Sequence, residues 1–298
     1  MAQKKVLFLG DSFTVGTGLG AGLEQQAFPF QLANKLKKGG LDIAEPKMYA
    51  VDGDTTKHLL GGLNAKEPQS NPDHKGPAGV YDMVVLSIGI NDLFRGHSHA
   101  DYEHHFKELL ERAIHFAGDD PSKVMVVSIP AWDASPSVDS KQGTDYRAQK
   151  YEEVRANMES IRVPISAIET HEGQMRINPS MQDLIAEAIE RAKRYNSPEG
   201  IAECIDEFNQ AARTAVNEIN QNNRGLKNIA FMDVTDLTRQ QATLPSGKPD
   251  TSMFADDGIH YSGKMYEKWA ERALQPAQSI LLGRDVTRTS AANRSASA

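Results

Sequence analysis

The feature that most limits how this chain can fold is a continuous apolar run, Tyr81 to Ile88 (Tyr-Asp-Met-Val-Val-Leu-Ser-Ile). A strand with one wet face alternates apolar and polar residues, because successive side chains point to opposite sides of the sheet. A run without that alternation reads as a strand covered on both faces, as in a parallel sheet held between helices. Lys5 to Leu9, Lys47 to Val51, Lys123 to Ile129 and Asn228 to Val234 read as further strands. Helical segments lie between them and after them: Phe28 to Lys38, closed by Gly39-Gly40, then Tyr102 to Phe116, Ile201 to Asn222 and Lys264 to Leu282. Strand and helix in alternation predict an α/β domain whose parallel sheet, of about five strands, carries helices on both faces. The expected domain spans residues 1–283, and the polar tail 284–298, ending Ala-Asn-Arg-Ser-Ala-Ser-Ala, is expected to fray.

One segment breaks the rhythm. Between Trp132 and about Glu199 there is no strand signal. Asn178 and Pro179 look like the cap and first residue of a helix. That helix, from Pro179 to about Tyr195, carries Leu184, Ile185, Ala188 and Ile189 on one stripe. Tyr146 to Met158 is a weaker, highly charged helix. The expectation is a helical insertion over about residues 133–199. Its apolar stripe either packs it onto the domain or forms a lid over a substrate site.

Composition removes several classes of function. The formal net charge is −7, with a pI of about 5.7, so the basic balance of a nucleic-acid binder is missing. The single cysteine, Cys204, allows neither an internal disulfide nor a zinc site of the Cys-x-x-Cys type, and suits a reducing compartment. The apolar run Val6 to Leu9 ends at once in Gly10-Asp11-Ser12, far short of a secretory signal. No stretch approaches the ~18 apolar residues of a membrane span. A cytoplasmic protein without stable membrane insertion and without nucleic-acid partners is expected. Oligomeric state is not readable.

Four short segments could carry chemistry, and each ends a strand or precedes a helix. Gly10-Asp11-Ser12 follows the first strand, where a helix N-terminus would offer free N–H groups to a developing oxyanion. Gly53 sits in Val51-Asp52-Gly53-Asp54-Thr55-Thr56 after the second strand. Gly89-Ile90-Asn91-Asp92 follows the third. Asp257-Gly258-Ile259-His260 lies before the last helix. A serine nucleophile needs a base, and the base needs an acid to orient it. An oxyanion needs donors, for which the Gly53 N–H and the Asn91 amide stand beside the Ser12 N–H. Taken singly, each segment is also an ordinary turn.

Together, and in this order, the segments resemble the SGNH (GDSL-type) hydrolase family. Ile129-Pro130-Ala131-Trp132 and His260-Tyr261-Ser262-Gly263 add to the likeness, which covers about residues 4–132 and 200–282. The resemblance implies a flavodoxin-like three-layer α/β/α sandwich. It also implies a triad of Ser12, His260 and Asp257, with an oxyanion hole from the Ser12 N–H, the Gly53 N–H and the Asn91 side chain. The activity implied is hydrolysis of a small-molecule carboxylic ester through an acyl-enzyme, with no metal or organic cofactor. Acetylated carbohydrates, short acyl esters, thioesters and lysophospholipids are all substrates of such enzymes. Two features depart from the pattern: Tyr261 stands where proline often follows the histidine, and the insertion is large. A catalytically silent binding module of the same fold remains the alternative.

Three patterns point elsewhere. Gly258 to Lys264 reads Gly-x-x-x-x-Gly-Lys, but Met265 follows in place of serine or threonine, and no strand leads into Gly258. Gly16-x-Gly18-x-x-Ala21 mimics a dinucleotide fingerprint but trails the first strand by several residues, and no suitable acidic residue ends a second strand. His97, His99, His104 and His105 form a histidine-rich stretch that a metal could use only if they converged.

Overall fold

Five parallel strands form the central sheet in the order Lys47–Ala50, Val6–Gly10, Met83–Ser87, Val124–Val127 and Ala230–Met232. The structure is a computed structural model that describes residues 3–64, 77–139, 168–171, 174–177, 193–194, 197–223 and 228–284. The strands are β1 (Val6–Gly10), β2 (Lys47–Ala50), β3 (Met83–Ser87), β4 (Val124–Val127) and β7 (Ala230–Met232). Every residue of β1, β3 and β4 is buried, as their unbroken apolar runs require. The edge strands β2 and β7 are only partly covered.

The chain leaves β1 for β2 on one side and returns to β3 on the other. The winding therefore reverses between β1 and β3, and in such sheets ligands bind outside the carboxyl ends of the strands at that reversal. Gly10, the last residue of β1, stands level with Ala50 of β2 and Ser87 of β3. The segments after these three residues hold Ser12, Gly53 and Asn91, so register alone brings the three loops to one edge.

The helices are α1 (Ser12–Val15), α2 (Phe28–Lys38), α3 (Thr56–Asn64), α4 (Ile90–Phe94), α5 (His99–Phe116), α6 (Pro136–Asp139), α7 (Pro198–Asn222), α8 (Thr235–Gln241) and α9 (Gly263–Leu281). On one face α2 packs against α9, and Phe8, Phe28 and Trp269 join sheet to helices edge to face, with ring centroids 5.8 and 5.9 Å apart. On the other face α5 packs between α3 and α7, and Tyr102 meets Phe208 at 4.7 Å. Aromatic pairs of this kind add about 0.5–1.5 kcal/mol each to the burial of their area.

Helix ends follow local chemistry. Ser98 caps α5 by accepting from Asp101 N, so that helix begins at His99, a turn earlier than the apolar pattern indicated. Ser197 caps α7 through Gly200 N, with Pro198 at the first turn. Helix α3 gave no periodic signal because it contains Gly61-Gly62, which oppose helix formation. A Cβ on Gly62 would lie 2.6 Å from the Tyr49 hydroxyl, so close packing against β2 explains a glycine there.

The insertion corrects one expectation. Within the segment read as strandless, β5 (Ile168–His171) and β6 (Gln174–Ile177) pair antiparallel, with Ile168 opposite Ile177 and His171 opposite Gln174. Ile-Glu-Thr-His lacks a sustained apolar alternation, so the sequence carried no strand signal there. The helices expected at Tyr146 to Met158 and, apart from Lys193 and Arg194, at Pro179 to Tyr195 lie outside the described residues, as does the tail beyond residue 284.

Candidate active site

The turn from β1 into α1 is tight. A Cβ on Gly10 would lie 2.1 Å from Thr14 Oγ1 and 2.5 Å from the Ser87 carbonyl, so only glycine lets the chain pass. Asp11 caps α1, its Oδ1 accepting from Phe13 N at 3.0 Å. Ser12 is thus the first residue of a helix at the sheet edge, and is 5% exposed.

Asp257 and His260 come from the loop before α9. Asp257 Oδ1 accepts from the backbone N–H of Ile259 and of His260, both at 2.9 Å, which folds the loop into a turn around its own carboxylate. The other oxygen, Oδ2, lies 2.6 Å from His260 Nδ1. On the far side of the ring, His260 Nε2 lies 2.9 Å from Ser12 Oγ. Burial raises the Asp257 pKa, but the hydrogen bonds from the His260 ring and from the Ile259 and His260 N–H groups outweigh it and leave the group below its ordinary value. This carboxylate therefore stays ionised where a neighbouring imidazole needs it.

Packing holds the imidazole from behind. The Phe13 ring lies 5.1 Å from the His260 ring and 5.3 Å from Tyr261. Tyr261, which replaces the frequent proline, is fully buried and its hydroxyl donates to the Ala131 carbonyl at 3.2 Å. The departure thus ties the His260 loop to the segment after β4. At the mouth of the insertion, Ser137 N donates to the Gly258 carbonyl at 3.3 Å.

The other two expected residues meet each other. Gly53 has φ 77°, the left-handed region that glycine enters without strain, and Asp54 N donates to Val51 O across that turn. Asn91, near the start of α4, donates from Nδ2 to the Asp54 carbonyl at 3.0 Å. Gly89 before it has φ 129° and no room for a Cβ, which would sit 2.7 Å from the Tyr102 ring.

Several neighbours escaped the sequence reading. Asp92 is fully buried and accepts from Thr56 N at 2.8 Å and Thr56 Oγ1 at 2.7 Å. Arg95 donates to the Gly53 carbonyl at 2.7 Å. Thr17 donates to Asp52 Oδ1 at 2.6 Å, joining the α1 and β2 loops. Asp11 is 2% exposed; burial, partly offset by the Phe13 N–H and reinforced by the carboxylates of Asp92, Asp54 and Asp52, pushes its pKa up to about 8. Apart from the local cap of Asp11 on Phe13 N, these pairings have no sequence signal, since each joins loops far apart in the chain.

The competing patterns are accounted for. His97 faces Asp92, His99 the Glu207 carbonyl and His104 Glu108, so these side chains diverge. Among the described residues no three His, Cys, Asp or Glu side chains are placed to hold a metal ion. Gly258 follows a loop, and Lys264 lines a cleft of about 330 Å³ with Gln25, Gln31, Lys35 and Lys38, which includes none of Ser12, Asp257 and His260. Among the described residues no helix is long and apolar enough to cross a membrane.

The sequence matches the GDSL-like Lipase/Acylhydrolase family over residues 8–268. No curated protein matches it. Among solved structures, it is similar to the lipase/acylhydrolase from Enterococcus faecalis, at 19% identity over 93% of this chain and 96% of that one, with a TM-score of 0.49. The psychrotrophic esterase EstA from Pseudoalteromonas sp. aligns at 14% identity over 94% and 99%, with a TM-score of 0.49. An acetyl xylan esterase, AlAXEase, aligns at 13% identity over 91% and 98%, with a TM-score of 0.50. At such identity this last likeness is one of fold alone.

Proposed function

We propose that this chain, which belongs to the GDSL-like Lipase/Acylhydrolase family, hydrolyses carboxylic esters with Ser12 as nucleophile, His260 as general base and Asp257 as the acid that orients it. The reading rests on one observation, the hydrogen-bonded line from Asp257 Oδ2 through the His260 ring to Ser12 Oγ, with steps of 2.6 and 2.9 Å.

In this reading Ser12 Oγ attacks the ester carbonyl while His260 Nε2 takes its proton. Asp257 holds Nδ1–H, so Nε2 is the nitrogen left to accept, and the carboxylate balances the charge of the imidazolium. The carbonyl oxygen becomes an oxyanion, and the Ser12 N–H, the Gly53 N–H and the Asn91 Nδ2–H stabilise it. Asn91 is suited to this: one N–H of its amide is held by Asp54, which sets the plane in which the other projects. His260 then protonates the leaving alcohol. A water, deprotonated by the same imidazole, releases the acid and restores Ser12. The chain's own groups supply every proton transfer, so the scheme calls on no cofactor. The unit that carries it is a single domain over residues 1–283.

Fluorophosphonates react with serines activated in this way. The wild-type chain is expected to be labelled at Ser12 and to turn over p-nitrophenyl esters, and a chain series followed by acetylated carbohydrates would then define the acyl and alcohol groups. A folded protein that neither labels nor turns over would instead be a binding module.

A further inference from the structure

All the side-chain grips that residues 91–95 place on the Gly53 loop converge on residues 53–56. Asn91 holds the Asp54 carbonyl, Asp92 takes the Thr56 N–H and hydroxyl, and Arg95 donates to the Gly53 carbonyl. The first two have evident uses: Asn91 is itself a donor in the reaction proposed above, and buried Asp92 satisfies the open end of α3. Arg95 is different. It is exposed, where a bond to a backbone carbonyl adds little to stability.

What that bond controls is a peptide plane. Gly53 joins two planes, one carrying its N–H and one carrying its carbonyl. Glycine is the residue least able to hold their relative angle by its own sterics. The second plane is pinned on its nitrogen side by Asp54 N to Val51 O, at 3.2 Å, and on its oxygen side by Arg95 Nη2, at 2.7 Å. Asp54, the next residue, carries the carbonyl that orients Asn91. One guanidinium thus stands behind both the Gly53 N–H and the Asn91 amide.

We infer that Arg95 is a positioning residue of the ester hydrolase: it fixes the Gly53–Asp54 peptide and so aims both oxyanion donors without touching the substrate. The inference rests on the reading of Gly53 and Asn91 as those donors. Donors must hold a hydrogen-bond distance of about 2.7–3.1 Å to the forming oxyanion, and a displacement of about 1 Å costs on the order of 10²-fold in rate.

The test is steady-state hydrolysis of p-nitrophenyl acetate by wild type, Arg95→Ala and Arg95→Lys, with melting temperatures alongside. Arg95→Ala should lower kcat by roughly 10- to 100-fold, with KM within about twofold, because donor aim matters in the transition state and little in the ground state. Its melting temperature should stay within about 3 °C of wild type, as for a surface change. Arg95→Lys keeps a donor of similar reach and should recover part of the loss; it also gives a second measurement if the alanine variant unfolds. An unchanged kcat in an otherwise active enzyme overturns the inference. So does a raised KM at constant kcat, which would make Arg95 a substrate-binding group. If wild type is neither labelled at Ser12 nor active, the reading of the site fails and the inference falls with it.

Discussion

Asp257 holds His260 twice, by its backbone N–H through Oδ1 at 2.9 Å and by its ring Nδ1 through Oδ2 at 2.6 Å. The two residues are three apart, so a single turn positions the carboxylate and the imidazole as one rigid unit. The rest of the site has only to bring Ser12 to that unit.

Asp257→Asn separates geometry from charge. The asparagine oxygen can still accept from the Ile259 and His260 N–H groups, so the turn and the melting temperature should be preserved. Its amide nitrogen would face Nδ1 and force the tautomer with Nε2–H towards Ser12, which cannot accept a proton. A fall in kcat of about 10⁴-fold is expected, the size seen when such a carboxylate is neutralised in a serine protease. A loss under tenfold in ester turnover would remove Asp257 from the role.

Ser12→Ala should abolish turnover. Loss of the nucleophile typically costs on the order of 10⁶ in kcat, with a residue of activity left by the oxyanion donors. The fold should survive, since the Ser12 hydroxyl bonds to His260 and lies at the sheet edge. Rates near those of wild type on p-nitrophenyl esters would refute the assignment of the nucleophile.

Asn91→Ala should reduce kcat by roughly 10²- to 10³-fold while KM changes little, the usual result of deleting one oxyanion donor. The Asp54 carbonyl also loses its partner, so a modest drop in melting temperature is expected with it. A strong rise in KM with kcat intact would show instead that Asn91 binds the ground state.

Asp11→Asn should change how stability depends on pH. The folded-state pKa of Asp11, about 8, lies above the ordinary carboxylate value of 3.8 because burial disfavours its charge. The folded chain therefore binds this proton more tightly than the unfolded chain does. Its contribution is fully present below about pH 4 and is lost as pH rises towards 8, by at most about 1.4 kcal/mol per pH unit. Asparagine keeps an oxygen for the Phe13 N–H and cannot ionise. Urea midpoints of the variant should thus gain on those of wild type between pH 5 and 8. Parallel profiles would show that Asp11 does not titrate across that range.

What the sequence by itself determined was whatever is written in neighbouring residues. The unbroken runs at Val6 to Leu9 and Tyr81 to Ile88 specified strands buried on both faces, which the structure places at Val6–Gly10 and Met83–Ser87. The helix Phe28–Lys38 could be read to the residue from its apolar spacing and its closing glycines. Gly10-Asp11-Ser12, Gly53, Asn91 and Asp257-x-x-His260 are each ordinary turns taken singly, and stood out by their order along the chain, which resembles the SGNH pattern. The hairpin at Ile168 to Ile177 and the glycine-bearing helix α3 did not, since their residues favour those forms only weakly. Tertiary structure alone decided which segments meet. Ser12 Oγ and His260 Nε2 lie 248 residues apart in the chain and 2.9 Å apart in space. Arg95 and Gly53, and Asp92 and Thr56, are likewise joined only because β1, β2 and β3 end level with one another. Periodicity and turn chemistry act over a few residues and survive in a linear reading. A hydrogen bond between loops depends on how whole strands and helices pack, and no short stretch of sequence holds that information.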